Sequence, residues 1–287
     1  MMKEQEKFTI REFMLRFPND DVCLDVIFQQ RYGKEEFCPS CAAKTKFHRV
    51  KKRKCYACQQ CGHHLYPLSG TVMERSTTPL TLWFYAIYEF STTKNGISAK
   101  ELQRKLGVTY KTAWRMGHKI RELMNDKEEV SLSGIIEIDE SLIGGKAKGG
   151  KRGWGAEKKT CLFGMMERGG KVKTMPVENR KKETLLPLIK DSIEAGSTVN
   201  SDEYKGYNSL GQEGYNHKTV IHSKYQWAQE DAYTNGIEGY WSNLKKSIFG
   251  THTWVAPKHL QNYLNEFDFR HNHRNGCQMF EEILSRL

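Results

Sequence analysis

Gly134-Ile135-Ile136-Glu137-Ile138-Asp139-Glu140 is a short β-type run with Ile136 and Ile138 on one face and Glu137 and Asp139 on the other. An acid on the inner part of a strand normally costs stability, and a bound cation removes that cost. Downstream, the pattern predicts strands at 160–167 and 171–177 joined by Gly169-Gly170, a hairpin-turn signal. A helix is predicted from Lys182 to Glu194 on Leu185, Leu186, Leu188, Ile189 and Ile193, then a strand from Ser197 that ends in a second acid, Asp202. A later helix opens at Thr234-Asn235-Gly236-Ile237-Glu238, and at 3.6 residues per turn Asn235, Glu238, Ser242 and Lys245 share one of its faces. Three strands, a helix, a strand and then helices is an α/β order that lets acids from separate elements converge.

Upstream of Gly134, residues 124–133 are polar with no clear apolar period and predict a helix end and linker, with a domain boundary near 130. Before it, Thr78 to Phe90 crowds apolar residues into one helix, with Pro79 suited to the first turn. Ser98 with Glu101 three residues later predicts a capping box for a helix carrying Leu102 and Leu106. Gly107-Val108 interrupts that helix, and Thr109 caps the next, which carries Ala113, Trp114, Met116 and Ile120. Helix, glycine turn, second helix is the helix-turn-helix pattern, whose second helix presents its early exposed residues to the DNA major groove. Those residues are Tyr110, Lys111, Thr112 and Arg115, with Lys119 and Arg121 nearer the phosphates.

Five of eight cysteines fall within 38–61, as Cys38-Pro39-Ser40-Cys41 and Cys55-Tyr56-Ala57-Cys58-Gln59-Gln60-Cys61. Paired Cys-x-x-Cys knuckles predict one tetrahedral structural Zn²⁺, since each tight turn brings two thiolates to one ion. Cys38 and Cys41 make one knuckle. The second is Cys58/Cys61 or Cys55/Cys58, and Gly62, suited to a knuckle turn, favours Cys58 and Cys61, leaving Cys55 a spare thiol. The intervening loop carries Lys51-Lys52-Arg53-Lys54, placed for phosphates.

The 287 residues carry a formal charge of +11, unevenly. Residues 44–121 hold 16 Lys/Arg and three Asp/Glu, and residues 146–190 hold 13 and four. Two basic blocks on an otherwise acidic chain predict two surfaces for a polyanion. Hydrophobic residues at 38% exclude wholesale disorder. No run of 18 apolar residues occurs, and the start, MMKEQEKFTIREF, lacks the apolar region of a secretory signal, so the expectation is a soluble intracellular protein.

Between Asp202 and Glu238 lie 35 residues, and Lys245 follows seven beyond. This Asp–Asp–35–Glu pattern with a trailing base is that of transposases and integrases with a ribonuclease-H-like core. Further words agree: Phe17-Pro18, the cysteine knuckles, Ser69-Gly70-Thr71, Ile138 to Lys146, Ser201-Asp202 with Tyr207, Thr234-Asn235-x-Ile237-Glu238, Trp241-x3-Lys245, Gly250, and His259 to Arg274. The chain resembles the bacterial insertion-sequence transposases that join an N-terminal zinc ribbon to a DDE domain, from about residue 10 to 280. The resemblance implies three parts: residues 1–75 as a helical segment and zinc ribbon, 76–130 as a helix-turn-helix module, and 131–287 as a ribonuclease-H-like mixed-sheet catalytic domain. It implies Asp139, Asp202 and Glu238 holding two Mg²⁺ (or Mn²⁺) ions for in-line phosphoryl transfer, Asn235 as a supporting polar group and Lys245 on the DNA end. Some relatives use Asn as the third residue, which leaves Asn235 one turn from Glu238 as the alternative. The position before Thr234 is commonly His in this group and is Tyr233 here.

The implied partners are double-stranded DNA, both terminal repeats and target, and further copies of the chain as a dimer or larger assembly. The implied location is the bacterial cytoplasm, at the nucleoid. The rival readings are a DNA-binding regulator with an inactive transposase-derived domain and a nuclease without strand transfer. Gly145-x4-Gly150-Lys151 mimics a nucleotide-binding loop, but Arg152 replaces the Ser/Thr that holds Mg²⁺ and no clear helix follows, so a basic loop beside the active site is expected instead. The late histidines 252, 259, 271 and 273 lack a zinc spacing and are expected to be structural or to touch phosphate.

Overall fold

Alternation along Ile135–Ile143 (β4) sorts its side chains between two layers, and the rest of its unit is arranged around that strand. A computed structural model describes residues 8–126, 130–144, 159–220, 233–274 and 278–287. They divide into two units: residues up to Leu123 with the C-terminal helix, and residues from Met124 onward.

In the first unit, Ile10–Arg16 (α1) starts with a reciprocal Thr9–Glu12 capping box, and Asn19 caps Asp20–Tyr32 (α2). A three-stranded antiparallel sheet follows, Phe47–Arg49 (β1), Tyr56–Cys58 (β2) and His64–Leu65 (β3). The ring of Tyr56 stacks on Phe28 of α2 at 3.9 Å, tying sheet to helix. Leu80–Thr92 (α3) buries Trp83, Phe84, Ile87 and Phe90, as its unbroken apolar run requires. Ala99–Leu106 (α4) and Tyr110–Leu123 (α5) flank Gly107 at φ +65°, a left-handed turn that glycine adopts without strain. Ser98 accepts from the Glu101 amide at 3.1 Å, but only that half of the expected capping box is seen, and the Glu101 carboxylate faces Lys105 at 3.7 Å.

Met279–Ser285 (α9), assigned by sequence to the third part, groups with this first unit. Its Phe280 ring sits 5.5 Å from Phe17 and 6.2 Å from Phe13, completing an aromatic cluster that neither helix closes alone.

The second unit is built on a five-stranded sheet in the order β6-β5-β4-β7-β8, from Thr160–Glu167 (β5), Val172–Val177 (β6), Thr198–Ser201 (β7) and Asn216–Thr219 (β8). Strands β4, β5 and β6 are antiparallel, whereas β7 and β8 run parallel to β4. On one face Ile136, Ile138, Phe163 and Met165 pack with Leu185 and Ile189 of Lys182–Ser192 (α6). On the other, Leu162, Met166 and Val172 pack with Ile237, Trp241 and Leu244 of Asn235–Ser247 (α7), and with Leu260 and Leu264 of Leu260–Asn272 (α8). Buried Asp268 joins these layers, accepting from Thr174 N–H and Oγ1 and from the Tyr240 hydroxyl.

The linker expected over 124–133 is partly core: Val130 and Leu132 are buried, and Leu132 bridges to Ile193. Alternation of apolar residues over so short a stretch is too weak to reveal it. No helix among the described residues is long and apolar enough to cross a membrane.

Candidate active site and zinc centre

Parallel pairing of β4 with β7 sets Glu137 opposite Asn200, so two residues further along Asp139 stands beside Asp202. Neighbouring strands lie about 4.8 Å apart, within reach of one shared cation. Asp202 follows the last residue of β7, and its Oδ1 accepts from the Tyr204 amide at 3.0 Å, which turns the carboxylate at the strand end. Ligand oxygens of Asp139, Glu140 and Asp202 all lie within 4.8 Å of one another. That is close to the spread of oxygens around one Mg²⁺, each about 2.1 Å from the ion.

Glu140 is not among the residues that the sequence pattern singles out. Alternation sends it to the face opposite Asp139, yet beside the end of β7 both side chains reach Asp202. It is buried, and the Tyr207 hydroxyl donates to its Oε1 at 2.7 Å. The available signal is an acid directly adjoining Asp139, out of step with the alternation that puts Glu137 and Asp139 on one face.

Burial, then the charges of Glu140, Asp202 and Glu238, push the Asp139 pKa up to about 7. Burial also raises Glu140, against the Tyr207 hydrogen bond. Carboxylates so crowded retain a proton or gain a cation.

Glu238 lies on the exposed face of α7, and its Oε1 accepts from Thr234 Oγ1 at 2.9 Å. Its charge reaches Asp139, but it is not in the 4.8 Å group. Asn235, the first residue of α7, is exposed, and Lys245 is half-buried with its pKa lowered by burial against the pull of Asp139. The close approach of α7 at this level depends on Gly164, paired with Asp139: a Cβ there would stand 2.5 Å from Trp241 Cζ2. The basic loop expected beside this site, Gly144 to Gly155, lies outside the described residues from 145 on, as does Cys277.

The cysteines assemble by local turns. In the first knuckle the Cys38 amide donates to Ala43 O and the Ala42 amide to Cys38 O. In the second, the Cys58 amide donates to His63 O and the Gly62 amide to Cys58 O. Both turns close on a left-handed residue, Ala42 at φ 53° and Gly62 at φ 73°. The four thiols gather, with Sγ–Sγ separations of 3.7 Å (Cys38–Cys61) and 4.0 Å (Cys41–Cys58). Four sulfurs tetrahedrally placed about 2.3 Å from Zn²⁺ stand about 3.8 Å apart, so the cluster fits zinc. Cys55 is fully buried and outside the cluster.

Lys51, Lys52, Arg53 and Lys54 are exposed on the loop between β1 and β2. On α5, Tyr110, Lys111 and Arg115 are exposed. Thr112 is half-buried with its hydroxyl 3.0 Å from Thr109 Oγ1, and Lys119 pairs with Glu122 at 2.7 Å. Arg121, expected near phosphates, is instead 2% exposed. It donates to Ile97 O at 3.3 Å beneath the Phe90 ring, in space left by Gly117. Of the late histidines, His252 packs on Tyr263, His271 on Tyr240 and His273 on Phe269.

Residues 131–272 match an ISXO2-like transposase domain, and residues 18–64 a transposase zinc-ribbon domain. A protein of the transposable element ISH50 from Halobacterium salinarum is 26% identical over 88% of this chain and 91% of its own length. A transposase-like protein of Haemophilus influenzae is 30% identical over 36% of this chain and 81% of its own length. With the four-cysteine cluster and the strand-borne acids in those two matched regions, the chain belongs to the insertion-sequence transposases that join a transposase zinc ribbon to an ISXO2-like transposase domain.

Proposed function

We propose that the protein binds the ends of an insertion sequence and catalyses metal-dependent strand cleavage and strand transfer. The observation that carries this reading is the meeting of Asp139, midway along β4, with Asp202, just past the end of the parallel strand β7, with Glu140 completing a cation-sized oxygen cluster. The strand order, three antiparallel strands extended by two parallel ones, supports a ribonuclease-H-like core.

In this reading Asp139 and Asp202 hold divalent ions, Mg²⁺ or Mn²⁺, and Glu140 or Glu238 completes their coordination. Such ions supply charge stabilisation at phosphorus and an activated oxygen nucleophile. Lys245 neutralises phosphate of the DNA end, and Asn235 lends a polar contact at the α7 terminus. The exposed cations of the β1–β2 loop grip phosphates, while Tyr110, Lys111 and Arg115, with Thr112 and Lys119 at the margin, face the groove as a helix-turn-helix reader. Two ends cut in concert call for a dimer or larger assembly on double-stranded DNA at the nucleoid.

The test incubates full-length protein with Mg²⁺ and DNA bearing the element's ends, against Asp202→Asn. Wild type is expected to yield cleaved and joined strands, and the variant only bound ends. Wild-type binding without any cleavage would instead establish a regulator with an inactive transposase-derived domain.

A further inference from the structure

Helix α7 lacks an ordinary cap. Its N-cap residue, Thr234, makes no capping hydrogen bond, because its hydroxyl donates to Glu238 at 2.9 Å. The free amides of the first turn, normally met by an N-cap side chain, are met from the sheet. Glu137 Oε2 accepts from Gly236 N–H at 2.8 Å and from Ile237 N–H at 3.1 Å. Glu137 sits on β4 two residues before Asp139, hence on the same face, and is 1% exposed.

Other contacts hold the arrangement together. Arg168 Nε stands 3.6 Å from Glu137 Oε1, and its guanidinium lies 3.7 Å over the Tyr233 ring. Asn200, which pairs with Glu137 across β4 and β7, donates to Tyr233 O at 3.4 Å. The helix terminus comes this close because residue 236 is glycine: a Cβ there would lie 2.7 Å from Glu137 Oε2. The buried acid that looks like a metal ligand in the strand pattern is therefore satisfied by protein donors.

We propose that Glu137 is a positioning residue: by capping α7 from β4 it fixes the height of that helix over Asp139 and frees the Thr234 hydroxyl to orient Glu238 toward the metal cluster. This rests on the reading of Asp139, Asp202 and Glu238 as one ion-binding site. The clasp joins a helix dipole to a carboxylate on the strand that carries the first catalytic acid, so helix and acid shift together.

The experiment compares full-length, zinc-loaded wild type with Glu137→Ala and Glu137→Gln. It measures amide hydrogen exchange of the peptide holding Gly236 and Ile237, and Mn²⁺ affinity by calorimetry. Loss of a charge-assisted hydrogen bond predicts about 10- to 100-fold faster exchange in Glu137→Ala, and loss of an outer-shell support about 10- to 100-fold weaker Mn²⁺ binding. Glu137→Gln keeps an acceptor for both amides and is expected to stay close to wild type in both.

Wild-type exchange and Mn²⁺ affinity in Glu137→Ala would overturn the proposal, and so would equal damage by Gln and Ala. Should the Ala variant fail to fold, Gly236→Ala leaves Glu137 in place and forces the helix away. The same two losses are expected there, and unchanged values would overturn the proposal. Neither measurement needs strand cleavage, so an inactive wild type would end the transposase reading while still reporting on the clasp.

Discussion

The four thiols and the three clustered carboxylates are assembled in opposite ways. Each pair of thiols comes from a turn of a few residues, and the two turns repeat the same backbone hydrogen bonds. Two of the acids, Asp139 and Glu140, come from one strand, and Asp202 from the residue after another strand, 63 positions beyond Asp139. Only strand pairing brings Asp202 to the other two. The thiols hold one another at zinc distances with backbone closure already made, whereas burial, and after it repulsion from neighbouring acids, keeps Asp139 protonated until near neutral pH. A ligand set made of local turns is preorganised, and one made of tertiary contacts must be held open against its own charge.

The sharpest way to test that difference is to remove a ligand from the local set. Cys58→Ser is expected to abolish zinc binding and unfold residues 38–61, since structural zinc contributes about 10 kcal/mol or more in small zinc folds. Cys55→Ser is expected to retain one zinc per chain. Zinc stoichiometry by atomic emission checks both, and a zinc-free Cys55→Ser protein would put Cys55 in the site.

The electrostatic half is tested by pH. Asp139 titrates near 7 when folded and near 4 when unfolded, so its ionisation costs folded stability. That cost is absent below about pH 4, grows as pH rises and is complete above about pH 7. A divalent ion binding the ionised cluster reverses it. The gain in Tm on adding Mg²⁺ is therefore expected to increase from pH 5 to pH 8, read by calorimetry on the zinc-loaded protein. Both arms carry saturating zinc, so the proton uptake by thiols released on unfolding is common to them and cancels from the Mg²⁺ gain. A Mg²⁺ gain that is flat with pH would remove Asp139 from the binding step.

The smallest expected effect separates phosphate from base contacts. Arg115→Ala is expected to weaken binding to element ends by about 1–3 kcal/mol more than binding to random DNA. Neutralising Lys51–Lys54 is expected to weaken both alike and to flatten the salt dependence. Titrations of both DNAs at two salt concentrations measure it, and equal losses for the two variants would argue against base reading by α5.

The same contrast governs how much is legible in the sequence. Strands β4 to β7, helices α6 and α7 and the turn at Gly107 follow from apolar period and glycine placement, which are local. Gly62 distinguishes Cys61 from Cys55 as the partner of Cys58 because a knuckle closes on a left-handed residue within its own turn. The encounter of Asp139 with Asp202 is approachable through spacing and resemblance. Glu140 is not, because strand alternation sends it to the far face and only the bent chain after β7 brings Asp202 within reach. Glu137 looks like a ligand because its true partners are backbone amides of a helix about a hundred residues away. Arg121 looks solvent-facing because the ring over it, Phe90, belongs to another helix, and α9 finds its place through an aromatic cluster gathered from three parts of the chain.

One strand therefore carries two kinds of information at a fixed pitch. Alternate residues of β4 stand about 6.7 Å apart, so the helix clasp at Glu137 and the acid at Asp139 are spaced by a ruler that side-chain motion cannot stretch. Sliding β4 by one residue along β7 would bring Ile138 or Glu140 level with Asp202 and turn the whole apolar set toward the wrong layer. Its position is in effect digital: the face that carries Asp139 is in step with Asp202 or it is lost, with no graded settings between. Adjustment of such a site over generations falls to what surrounds the strand, the height of a helix or the choice of a capping hydroxyl, while the strand itself stays put.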